Sequence, residues 1–408
     1  MRAPILVLLT WLVLMAGANL ATPLYGVYSD RFGFSTLVLT LIFVTYAFLL
    51  VPALIVFGRL SDRIGRRPVM LAGLAAATAG LVLFAAAQGT AWLFGARALQ
   101  GLAVGMIGGA ATAALVELDP DGNRRRAALF AGLAQAGGSA VGPLVAGTLA
   151  QWAPEPLRLC YLVGIGATLL AAGATFLIPE RDAGKREPWR IQWPRVPPNV
   201  RTRFALVSLT AATVWAAAAL YLSVVPLYAA KLLHTHDLAL LAAVAALALV
   251  GSCLSQMFSQ RHEGSPRAEQ LGGLAALAVG LLGLVLAAPL HSLAILLVGA
   301  VLTGVGHGFG FLGAQQELNE LAPAERRGEV TAAFISAVYF LVASAVIGTG
   351  LLGVRFSLSV SVGAVAFALV AVALGAAAWH GRLALAGPGK SRSRGRSRRR
   401  PHLHVLPR

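Results

Sequence analysis

Ten consecutive residues carry the densest chemistry in the chain: Gly58-Arg59-Leu60-Ser61-Asp62-Arg63-Ile64-Gly65-Arg66-Arg67. One acid stands among four guanidinium groups. Asp62 can accept hydrogen bonds from free N–H groups at a helix start, where the macrodipole favours an anion. Arg66 can pair with a carboxylate, and Glu117 and Asp119 close a later apolar run. Gly58 leaves room for a neighbouring helix. Such a set holds two pieces of protein together by charge, and it contains no nucleophile–base pair.

Other polar residues sit inside apolar runs. Arg97 is six residues into one, followed by Gln100, Gly101 and Gly105. A central Arg costs about 2.5–3.5 kcal/mol on membrane-insertion scales, which marks Arg97 as functional. His307 stands in Gly304-Val305-Gly306-His307-Gly308-Phe309-Gly310. Its imidazole titrates near neutral pH and could carry a coupling proton, or it could simply pack helices. Gly138, Gly142, Pro143 and Gly147 share another run, where the proline removes a backbone donor and the glycines permit close contact. Asn19, Tyr25 and Trp215 are candidate substrate contacts, with Tyr46, Gln135, Tyr221, Ser252, Gln256 and Tyr339 beside them. No Asp or Glu falls in the middle of any run. Cys160 and Cys253 have no metal-ligand spacing, so neither a metal nor a cofactor is expected.

The elements that must position these residues follow from composition. Of 408 residues, 58% are hydrophobic and only 12% charged, with mean hydropathy +0.76, which excludes a soluble enzyme and a disordered protein. A bilayer cannot hydrogen-bond an open backbone, so long apolar runs read as helices. Twelve are predicted, near 5–26, 37–57, 68–88, 92–116, 127–151, 157–178, 204–228, 238–258, 269–288, 293–316, 330–352 and 356–380. Met1–Ala18 also resembles a signal peptide, but the repeat described next favours a retained first span. With the N-terminus inside, 28 of the 33 Lys and Arg fall on the inner side and four outside. This charge bias places both termini in the cytoplasm. The net charge of +17 is therefore topological, and no folded nucleic-acid reader accompanies it.

The chain also repeats. Thr22-Pro23-Leu24-Tyr25 is echoed by Val225-Pro226-Leu227-Tyr228, and Glu117-Leu118 by Glu317-Leu318. The fold expected is an all-α membrane protein of twelve transmembrane helices in two pseudo-symmetric six-helix halves. The halves are 1–180 and 204–380, joined by a cytoplasmic linker at 181–203. A disordered basic tail is expected over 381–408.

The ten-residue segment resembles the signature of the major facilitator superfamily, G-x-L-x-D-x-x-G-R-[RK], at every fixed position. The resemblance spans about residues 5–380. It implies that Asp62, Arg63, Gly65, Arg66, Arg67 and Glu117, with Gly58, latch the cytoplasmic ends of the two halves in the outward-facing state, Asp62 docking on the start of span 11. The second half has His262 at the position of Asp62, so the latch should be asymmetric. Arg97-x-x-Gln100-Gly101 resembles the family's R-x-x-Q-G motif, linked to proton transfer or substrate binding. Gly138-x-x-x-Gly142-Pro143-x-x-Ala146-Gly147 resembles the motif of the family's antiporters, with Ala146 replacing a glycine and Leu129 at the position of an upstream one. The resemblance implies a plasma-membrane transporter, not an enzyme, working as a monomer in the lipid bilayer. Its partners would be a small-molecule substrate and protons. Efflux of a drug-like or amphipathic metabolite fits first. A sugar facilitator or importer, or a sensor that does not transport, are the alternatives.

Overall fold

A computed structural model describes residues 2–180, 193–261, 264–323 and 326–385. It is helical almost throughout. The first half comprises α1 (Arg2–Asn19), α2 (Tyr25–Phe32), α3 (Thr36–Ile64), α4 (Arg66–Ala85), α5 (Thr90–Glu117), α6 (Arg124–Trp152) and α7 (Leu159–Thr175). The second comprises α8 (Arg201–Ser223), α9 (Val225–Leu232), α10 (Leu238–Arg261), α11 (Pro266–Ala287), α12 (Leu293–Leu321), α13 (Arg327–Arg355) and α14 (Leu358–Leu385).

Spans 1 and 7 are each broken. Pro23 lies in a single 3-10 turn, Thr22–Leu24, that separates α1 from α2, and Pro226 sits in the first turn of α9. A proline interrupts the helical hydrogen-bond ladder, and here it does so at matching places in the two halves. Among the described residues, eleven helical stretches are long and apolar enough to cross a membrane. The twelfth, α7, has 17 residues and spans about 25 Å, the lower limit for a bilayer. Polar side chains fix several helix starts: Ser35, Asn123, Ser265 and Ser292 each accept a backbone N–H three residues on. Large apolar side chains such as Phe48, Leu170 and Phe340 point outward, where only hydrocarbon would cover them.

The packing repeats as the sequence does. In the first half α5 lies against α3 and α4, α1 against α6 and α7, and α4 against α7. In the second, α12 lies against α10 and α11, α8 against α13 and α14, and α11 against α14. The halves meet chiefly through α6 with α10 and α3 with α13. Close approaches set the register. A side chain at Gly101 would collide with the Tyr46 carbonyl, and one at Gly304 with the Ala248 carbonyl. The structural counterpart of Arg97 is thus Ala300, three residues beyond the Leu297 that a constant offset of 200 gives. Two boundaries also move. α8 starts at Arg201 inside the expected linker, and α14 runs through Leu385 inside the expected tail. Residues 181–192, His262 and the rest of the tail lie outside the described residues.

Candidate transport site and gates

The ten-residue segment forms the corner between α3 and α4, with Gly65 as its only non-helical residue. Gly65 has φ +101°, a conformation that L side chains rarely adopt. A Cβ there would also strike the Glu180 carboxylate. That carboxylate accepts the Arg67 backbone N–H (3.2 and 3.3 Å) at the positive end of α4. Arg66 donates to Glu117 (Nη2–Oε1 2.7 Å) and to Ser61 Oγ (2.7 Å), and pairs with Asp62. The other nearby acid, Asp119, binds Arg126 (2.6 and 2.7 Å) and accepts the backbone N–H groups of Asp121 and Asn123. The Arg126 hydrogen bonds, followed by those two N–H groups, outweigh desolvation and lower the Asp119 pKa to about 2.

Asp62 does not dock on α13 in this conformation. Its side chain is 58% exposed and its ion pair is with Arg66. The Arg326 side chain at the start of α13 is held by Glu329 (2.7 Å). Nothing lies within 4 Å of the space a side chain would fill at Gly58. The Gly58 backbone faces α5 instead, its Cα lying 3.3 Å from where a Cβ on Gly109 would be. Arg63 is exposed and, among the described residues, makes no ion pair. The α3 and α13 helices touch towards the opposite end of the bundle. A side chain at Gly350 would collide with Thr40, and the rings of Tyr46 and Tyr339 are 6.5 Å apart.

The second half repeats part of this corner with weaker charge. Arg67 Nη2 donates to the Ile178 carbonyl, and Arg267 Nη2 to the His380 carbonyl. Where Arg66 meets Glu117, Gln270 Nε2 meets Glu317 (2.6 Å), with Arg203 at 3.8 Å. The corner contact is therefore ionic in one half and largely an amide contact in the other.

Two polar centres lie deeper. Arg97 is 2% exposed. Its guanidinium donates to the carbonyl oxygens of Ala18 (2.8 Å) and Phe43 (3.5 Å) and to Gln100 Oε1 (2.9 Å). It also stacks over the rings of Phe43 and Tyr46, 5.0 and 4.8 Å from their centroids. Gln100 Nε2 donates to the Gly17 carbonyl (3.2 Å), so α5 grips the α1 backbone next to its break. No carboxylate among the described residues pairs with Arg97.

In the second half His307 Nδ1 is 2.8 Å from Ser252 Oγ, which also accepts from Gln256 Nε2 (3.0 Å). Trp215 meets the imidazole edge-on at 4.6 Å, and Phe311 stacks on it at 5.9 Å. Asn19 bonds to Met15 O and Ser139 Oγ, packing α1 on α6. Tyr25 is buried just past the Pro23 break.

The glycines of α6 face two ways. Side chains at Gly138 and Gly142 would collide with the Leu12 and Ala16 carbonyls of α1, whereas one at Gly147 would collide with Ala242 of α10. Pro143 lies inside the helix between them. The motif thus packs the first half together and sets it against the second.

A family model described as Major Facilitator Superfamily matches residues 6–346. The chain belongs to the Major Facilitator Superfamily. Its fold is shared with the crystal structure of a bacterial homolog of the human lysosomal transporter Spinster in an inward-facing, unoccupied conformation. The TM-score is 0.67 at 18% identity, over 93% of this chain and 95% of that one. A shorter likeness is to the inner membrane transport protein YajR of Escherichia coli (strain K12), 43% identical over 77 residues. That stretch is 19% of this chain and 16% of that protein. The fold is thus that of a multi-pass membrane transporter.

Four contributors carry little signal in the sequence. Glu180 follows span 6 and shows itself only when α4 folds back against it. Phe43 shares a face with Tyr46, three residues on, and that spacing was a usable signal. Gln151 and Glu269 look like ordinary helix-end residues. In the fold Gln151 Oε1 accepts the Leu238 backbone N–H (2.8 Å) across the halves, and Glu269 is buried against Ser259.

Proposed function

We propose that this protein exports a small, largely apolar or amphipathic molecule from the cytoplasm in exchange for protons, by alternating access between the two halves. It would act as a monomer in the plasma membrane with both termini cytoplasmic. The supporting observation is the pair of buried centres, Arg97–Gln100 and His307–Ser252, one in each half and each walled by aromatic rings. Such walls suit a ligand with apolar faces and few hydrogen-bonding groups; a sugar would need many more donors and acceptors. Arg97 is a cation surrounded by neutral partners, so a nearby change of charge acts on it strongly. His307 supplies a titratable group in the second half. Asp62, Arg66 and Glu117 would form the latch at the cytoplasmic end; in this conformation Arg66 holds both Glu117 and Asp62, and Asp62 does not reach α13. Gly147 of α6 holds the halves close, and the resemblance of its motif to that of the antiporters supports outward exchange.

The test is flux of a panel of amphipathic dyes in proteoliposomes of both orientations, with and without an imposed pH gradient. Dye movement driven by the gradient supports the reading. Gradient-independent equilibration, or movement of sugars alone, contradicts it.

A further inference from the structure

A second polar feature lies away from the bundle centre. Pro194, Arg195, Val196 and Pro198 of the inter-half segment, together with Arg201 and Arg326, line a cleft of about 450 Å³. Arg201 begins α8, and Arg326 directly precedes α13. The cleft thus collects the positive ends of two helix dipoles. It also collects three guanidinium groups against one carboxylate, because Glu329 binds Arg326 (2.7 Å). Arg201 Nε is turned back to the Val196 carbonyl (3.4 Å), which fixes its head at the rim. Among the described residues neither Arg195 nor Arg201 pairs with an acid. Trp193, immediately before the cleft, is 66% exposed. Exposed indoles favour the level of the lipid headgroups, which is where an indole beside the cleft would be accommodated.

We propose that this cleft binds a phosphate group, supplied by the headgroup of an anionic phospholipid. Arginine suits the role because its planar fork meets phosphate oxygens in pairs and stays charged at every working pH. Pro194, Pro197 and Pro198 keep the 193–198 segment stiff, so the guanidinium groups lose little freedom when they close on the ligand. A bound phosphate would fasten this segment to the start of α13, the helix that meets α3 of the other half. The site needs no substrate and stands independently of the transport reading.

The experiment uses the full chain in neutral detergent. Its thermal midpoint is measured with added dioleoylphosphatidylglycerol, with dioleoylphosphatidylcholine, and with inorganic phosphate. Arg195→Gln/Arg201→Gln is compared with the wild type, and both keep the basic tail, so their difference reads the cleft alone. Phosphatidylglycerol is expected to raise the wild-type midpoint by about 4 °C or more over phosphatidylcholine, and the double variant should lose most of that rise. Arg195→Lys/Arg201→Lys should keep part of it, which guards against a misfolded glutamine variant. A matching rise with millimolar phosphate supports the site with a free ion as its ligand. Equal rises in wild type and both double variants, or no rise with either phosphate source, overturn the proposal.

Discussion

The Gln151 side chain accepts the Leu238 backbone N–H at 2.8 Å, tying the end of α6 to the start of α10 across the boundary between the halves. One turn earlier on α6, Gly147 leaves no room for a side chain beside Ala242. Closure at this end therefore depends on a missing Cβ. Gly147→Leu is expected to lower transport at least about tenfold, because overpacking of about 1–3 kcal/mol falls on the closed state. Membrane insertion should be unchanged. Dye flux and the amount of protein in the membrane fraction check both halves of this prediction.

Arg97 costs insertion energy and gains only neutral partners. Arg97→Gln should therefore insert normally and melt no lower than the wild type. Transport should fall about 100-fold, because the buried positive charge on which a coupling proton would act is removed. Lowered stability together with lowered transport would instead mark Arg97 as structural.

His307→Phe preserves the aromatic contacts with Trp215 and Phe311 while removing both ring nitrogens. One lost hydrogen bond of about 1 kcal/mol predicts a fivefold to tenfold weaker apparent substrate affinity. The same variant should flatten the pH dependence of flux. Unchanged affinity and pH profile would leave the imidazole as packing.

Asp119 gives a pH signature at the α5–α6 turn. Its folded pKa of about 2 lies below the unfolded value near 3.9, so it stabilises the turn above about pH 4 and loses that contribution as pH falls towards 2. The thermal midpoint should drop over this window. Asp119→Asn should start lower at neutral pH and drop less.

Much of this architecture is legible in the sequence. Apolar length gives the spans, and the paired Pro23 and Pro226 show as a repeat, although the breaks they make in spans 1 and 7 appear only in the fold. The corner at Gly65 is visible as a motif. What is hidden depends on contacts between distant segments. Glu180 is unremarkable until α7 returns beside α4. The Gln151–Leu238 tie arises only when the halves dock. The register of α12 against α5 follows from helix packing at Gly101 and Gly304, which composition does not encode. The state of the latch is likewise a property of the conformation: the sequence allows Asp62 to reach α13, and in this structure it pairs with Arg66.

The central claim is that the two ends of the bundle open alternately. Spin labels at Phe34 and Phe356 report the end where α3 and α13 touch, and labels at Ile64 and Gly328 report the end where Asp62 is free of α13. Distances for both pairs should be measured in lipid nanodiscs while pH and a transported dye are varied. Two populations are predicted, with one distance lengthening as the other shortens, and Asp62→Asn should deplete the population closed at the Ile64–Gly328 end. Two fixed distances, or two that change in the same direction, would contradict the account.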